Sequence, residues 1–315
     1  MNVPSSPSLL TQPEPRGLLG FMRRHPLRCY FFLAYAVSWL GWLPLVLSQN
    51  GLGLLPFHLP FTAILGGAFG PIGSGFLMTA VTSGKTGVRQ LLRRFLLWRV
   101  GVQWYFFALL GIPALMLVGV PPVLASNLIA FRISALPSTL LLYAGLFVLQ
   151  FFISPLAEEP GWRGFALPRL QEGYGPLKGT LILGLLWGCW HFPLFLLPGY
   201  DGAGSGLFGV ALPFCEFLAS VFAMAIIITW VFNQTRASLL LVMMVHAATD
   251  SFPLTSLFPQ LPQADIMNHI AMIGLTGFGC FALVLLAVTR GKLGYPSRPS
   301  VPLQAGESFT LARKN

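Results

Sequence analysis

Charge is scarce in this sequence. Of 315 residues, 9% are Asp, Glu, Lys or Arg, and just nine are acidic. A soluble domain carries about 25% charged residues, so a chain this poor in charge cannot cover a water-facing surface. It is 55% hydrophobic, and a bilayer as solvent accounts for both figures. Cysteine is rare as well. Cys29, Cys189, Cys215 and Cys280 lie in apolar stretches without CxxC spacing, so neither a disulfide framework nor a zinc knuckle is indicated, and they read as small buried apolar side chains. The first 15 residues are polar and Pro/Ser-rich and lack the compact basic-then-apolar pattern of a cleaved signal peptide. The first apolar run is therefore expected to be an uncleaved membrane helix. No internal repeat or second domain is evident.

What is abundant fits the same solvent. Gly and Pro are frequent, at 34 and 26 residues, as they are in membrane helices. A helix needs about 20 apolar residues to cross the hydrocarbon core. Eight stretches qualify, at about 29–47, 61–81, 104–125, 139–168, 177–197, 208–232, 237–257 and 266–288. The fold class that follows is all-α, a polytopic transmembrane bundle of about eight helices. Residues 1–28 read as a cytoplasmic segment, 29–288 as a single transmembrane domain, and 289–315 as a Pro/Ser-rich, disordered cytoplasmic tail.

The net charge of +10 would suit nucleic acid, but its placement suits a membrane. With eight spans, 18 of the 19 basic residues fall on one side and only Arg132 on the other. The positive-inside rule then puts both termini in the cytoplasm, with the chain in the plasma (inner) membrane and no role for nucleic acid.

Carboxylates and imidazoles inside hydrocarbon are costly and are usually functional. Here they are few: Glu158, Glu159, Arg163, His191, Glu216, His246 and Asp250, with His269 in the last span and His25 and His58 near boundaries. At about 1.5 Å per residue, His191 sits roughly 20 Å beyond Lys178, and His246 roughly 15 Å beyond Arg236. Glu158 and Glu159 sit roughly 15 Å from Arg169 if Pro160 leaves that helix continuous. Three helices thus bring acids and imidazoles to a similar level. His246 and Asp250 share a helix face at i, i+4, as do Glu159 and Arg163. Glu158 points about 100° away from Glu159, so one Glu can anchor Arg163 while the other stays free for chemistry. The chemistry that fits is general-base activation of water, with a histidine holding the water and a second His site for an oxyanion. The bland readings are a buried salt bridge for Glu158, Glu159 and Arg163, a core histidine for His191, and an intrahelical bond for His246 and Asp250. Glu216 divides evenly between packing and a substrate-cavity role, and His269 reads as packing.

At these residues the sequence resembles the CAAX protease and bacteriocin-processing family of glutamate-type intramembrane peptidases. The family's Glu-Glu-x-x-x-Arg motif reads AEEPGWRGFALPRL at 157–170, Phe-x-x-x-His reads WGCWH at 187–191, and His-x-x-x-Asn/Asp reads HAATD at 246–250. The likeness covers about 139–257. It implies Glu158 as catalytic base with His191 as partner, His246 and Asp250 as oxyanion site, and Glu159 with Arg163 as a structural pair. Trp187 replaces the usual Phe, keeping an aromatic. Asp250 stands where eukaryotic prenyl-protein proteases carry Asn, and a carboxyl donates to an oxyanion only when protonated; otherwise Asp250 orients His246. Two Glu and two His could hold zinc, but no HExxH spacing occurs and the resemblance implies no metal or other cofactor. The expected partners are a peptide or lipidated protein substrate and membrane lipid. Two other functions compete: a proton-coupled transporter, which also uses midplane acids and histidines, and a non-catalytic immunity protein that binds a partner.

Overall fold

A computed structural model describes residues 17–124, 131–259 and 261–296. The expected disordered tail beyond 296 and the polar first 16 residues lie outside them. Among the described residues the fold is all-α, and seven helices are long and apolar enough to cross a membrane. We name the elements used below α1 (Pro26–Leu47), α2 (Gly70–Phe95), α3 (Val102–Val123), α4 (Leu136–Phe151), α5 (Ser154–Gly161), α6 (Leu167–Tyr174), α7 (Pro176–Trp190), α8 (Gly206–Gln234), α9 (Leu239–Ser251) and α10 (Ile270–Thr289). Large apolar side chains cover the outside, with Phe208 86% exposed and Leu141 and Val288 each 77% exposed. Such a surface is untenable in water and suits lipid. The chain is a multi-pass membrane protein.

Two expected spans take a different form. The stretch 139–168 is not one helix. It breaks after Phe151, where Ile153 leaves helical geometry (φ −95°, ψ −87°), and restarts as α5. Pro155 suits the restart, because it stands in the first turn of α5, where its missing N–H costs nothing. The stretch 237–257 yields the 13-residue α9, about 20 Å long, and a separate one-turn helix at Leu254–Leu257. Leu239, Leu241, Val242 and Val245 are fully buried, so the first half of α9 is internal and apolar on all sides, while its second half carries His246 and Asp250. The Ser238 hydroxyl caps its start by accepting from the Leu241 N–H at 3.3 Å.

Pro160 does not end α5. The chain stays helical through it, passes through one wide π turn at Trp162–Ala166, and continues as α6. Proline removes one intrahelical donor, and π turns of this kind concentrate at functional sites. Two arginines secure the turn. Arg94 donates to the Gly164 carbonyl at 3.0 Å, and Arg169 donates to that of Phe165 at 2.9 Å.

Glycines set the closest approaches. A Cβ on Gly75 of α2 would lie 2.8 Å from the Gly161 Cα of α5, and one on Gly161 would overlap the Pro71 carbonyl. Small residues let membrane helices touch backbone to backbone in this way. An aromatic core then backs α5 and α7. Trp162 and Trp190 pack edge to face at 5.8 Å, and Trp42 lies 4.6 Å from Trp190.

Of the cysteines, Cys29 is buried, but Cys215 and Cys280 are exposed. They stand on α8 and α10 among outward-facing residues, so the expectation of four buried thiols fails; a small apolar side chain is as acceptable to lipid as to a core. His269 is also not a packing residue within the last span. It lies exposed just before α10 and donates from Nδ1 to the Asp265 carbonyl at 2.8 Å.

Candidate active site

Because α5 survives Pro160, Glu159 and Arg163 meet one turn apart, with Arg163 Nη1 donating to Glu159 Oε1 at 2.8 Å. Both side chains are completely buried. His246 of α9 reaches the same oxygen and donates from Nδ1 at 2.7 Å. One carboxylate oxygen therefore ties α5, the π turn and α9 together.

Glu158 faces elsewhere. Its Oε1 accepts from the Ser154 hydroxyl at 3.0 Å, and its Oε2 accepts from the Trp187 indole N–H at 2.7 Å. Ser154 Oγ also lies 3.4 Å from His246 Nε2, and Asp250 Oδ2 lies at the same distance from that nitrogen. His191 caps the C-terminus of α7. Its Nδ1 donates to the Trp187 carbonyl at 2.9 Å, so in the neutral ring Nε2 carries the lone pair. The Trp187 ring lies 4.1 Å beneath the Arg163 guanidinium carbon and 5.3 Å from the His246 ring.

The six candidate residues Glu158, Glu159, Arg163, His191, His246 and Asp250 thus stand in one set of contacts from α5, α7 and α9. Glu158 and His191 are joined through Trp187, and among the described residues no direct bond links them. Glu216 is half-buried on α8 and has no bond to this set among the described residues. Two members were missed by sequence reasoning. Ser154 gives no motif signal of its own; its role appears once α5 is seen to start there. Trp187 stands inside the second motif, but its donor reaches Glu158 only because α5 and α7 are neighbours. Asp201, in a left-handed turn between α7 and α8 (φ 46°), is a further nearby acid. Burial, and then the Asp250 charge, push it up to about 6.

Among the described residues no three His, Cys, Asp or Glu side chains form a metal-ligand cluster. The tight pairing of Glu159 with Arg163, and of His246 Nδ1 with Glu159, commits donors that a zinc site would need free.

Residues 139–252 match the family model described as type II CAAX prenyl endopeptidase Rce1-like. The chain is also 36% identical over 91 residues to CAAX prenyl protease 2 of Methanococcus maripaludis, an alignment covering 28% of this chain and 32% of that protein. The chain therefore spans about a third of that relative's length. The matched segment runs from α4 to just past α9 and contains every residue of the set described above. In the matched segment the wide π turn and the buried Glu159–Arg163 pair both lie in the Glu-Glu-x-x-x-Arg motif.

Proposed function

We propose that the protein is an intramembrane endopeptidase in which Glu158 activates water. The observation that supports this reading best is the division of labour between adjacent acids. Glu159 is consumed by Arg163 and His246, whereas Glu158 accepts only from neutral donors, Ser154 and Trp187. A carboxylate held in place by neutral donors keeps further lone pairs for a water proton.

The steps follow from the atoms. The His191 Nε2 lone pair and Glu158 hold a water between them. Glu158 takes one water proton while the hydroxide oxygen bonds to the peptide carbonyl carbon. The negative charge that forms on the carbonyl oxygen is met by His246 Nε2. Since Nδ1 of that ring donates to Glu159, a donor at Nε2 means an imidazolium, and Glu159 and Asp250 place a carboxyl group at each of its nitrogens. This arrangement makes Asp250 the residue that orients His246. The C–N bond then breaks and Glu158 returns its proton to the leaving amine.

The relative's name adds a substrate class, a prenylated protein C-terminus, to the lipidated or peptide substrates that an intramembrane site suits. The same reading places the chain in the plasma membrane with both ends in the cytoplasm, the side where basic residues gather.

The test uses the full chain in proteoliposomes with a farnesylated, internally quenched CAAX peptide. Glu158→Ala should lower its cleavage by at least about 100-fold, the usual weight of a general base, while the protein stays folded. Cleavage retained in Glu158→Ala overturns the mechanism. Transport of the peptide without hydrolysis selects a carrier, and partner binding indifferent to Glu158 and His191 selects an immunity protein.

A further inference from the structure

Trp187 touches four other residues of the site, drawn from every element that builds it. Its indole N–H donates to Glu158, its ring face carries Arg163, its edge meets His246, and its carbonyl takes the Nδ1 proton of His191. It is nearly completely buried, at 4% exposed.

A buried tryptophan usually finds an acceptor for its N–H, although the indole N–H groups of Trp162 and Trp190 have none among the described residues, and most acceptors in a helical bundle are carbonyls. Buried Trp42 donates to the Ile64 carbonyl, and exposed Trp39 donates to that of Trp190. Trp187 instead donates to a carboxylate, at 2.7 Å, the length of a charge-assisted hydrogen bond. Its ring cannot turn freely, because the guanidinium lies on one face and the imidazole of His246 abuts it. The direction of the donor is thereby fixed before any substrate arrives. The backbone of the same residue fixes His191, whose position four residues on brings Nδ1 under the Trp187 carbonyl.

We infer that Trp187 is the positioning residue of this site, holding the Glu158 carboxylate through its indole N–H and His191 through its carbonyl, so that base and water partner keep one separation. This rests on the reading of Glu158 as base. Phenylalanine at this position would keep an aromatic packing role and lose the hold on Glu158. The sequence is thus matched to a site in which the carboxylate is restrained by a side chain from a neighbouring helix.

The separating experiment removes the donor without removing the ring. Trp187 is replaced by β-(3-benzothienyl)alanine, which has sulfur in place of the N–H, and in parallel by Trp187→Phe. With the farnesylated peptide in proteoliposomes, kcat should fall about tenfold in both, as for loss of a hydrogen bond to a charged group, with KM within about twofold and the melting temperature of the sulfur analogue unchanged. Full kcat in the sulfur analogue overturns the inference. If Glu158→Ala is inactive while the analogue is fully active, the inference fails alone; if Glu158→Ala is active, the parent reading fails. A substrate-free measurement backs both variants. The Trp187 indole 15N–1H resonance, assigned with Trp187→Phe, should shift in Glu158→Ala, and an unmoved resonance overturns the hydrogen bond itself.

Discussion

Arg163 shows how a single charge is kept inside the bilayer. It has no exposed surface, one carboxylate partner and one aromatic face beneath it. Removing it strands the Glu159 charge with His246 alone. Arg163→Ala should therefore cost about 3–5 kcal/mol, as breaking one half of a buried pair does. A thermal melt in detergent checks this; an unchanged midpoint would show that Glu159 is satisfied without the arginine. The pairing itself was legible in the sequence, since i, i+4 spacing is a local property that only needs a continuous helix. The bond from His246 to Glu159 was not, because it depends on which helix lies next to α5. For the same reason Trp187 read as a neutral exchange for Phe, although its nitrogen is what sets it apart.

At the scale of elements, the position of α5 decides whether Glu158 and Glu159 meet α7 and α9. Gly161 sits against the Pro71 carbonyl, and the Gly75 position faces the Gly161 Cα. A β-branched side chain there must push α5 off α2, moving the two acids one turn away. Gly161→Val should lower both the melting temperature and the cleavage rate, since overpacking costs about 1–3 kcal/mol. Gly173, in α6 with open space around it, is the control. Gly173→Ala should hold or raise stability, by up to about 1 kcal/mol, through helix propensity. Equal effects at the two positions would contradict the packing account. Hydropathy found the existence of these elements because apolar length is a strong signal. It missed the break at Ile153 and the shortness of α9. A run of apolar residues looks the same whether it is one helix or two, and whether it faces lipid or other helices.

For the whole molecule, the scarcity of charge predicted a bundle in lipid, and the exposed apolar surface of α4, α8 and α10 agrees with it. The convergence of acids and imidazoles was legible only as similar depth on three spans. Contacts of 2.7 to 3.4 Å among α5, α7 and α9 turn that similarity into a single site. The account's central claim is that this site hydrolyses peptide bonds in a membrane, and it can be tested without knowing the substrate. Membrane peptides from cells producing the wild-type chain are compared by mass spectrometry with those from cells producing Glu158→Ala at equal level. The account predicts new peptide termini that appear with the wild type and vanish with the variant. Identical sets of termini in the two cells would contradict it.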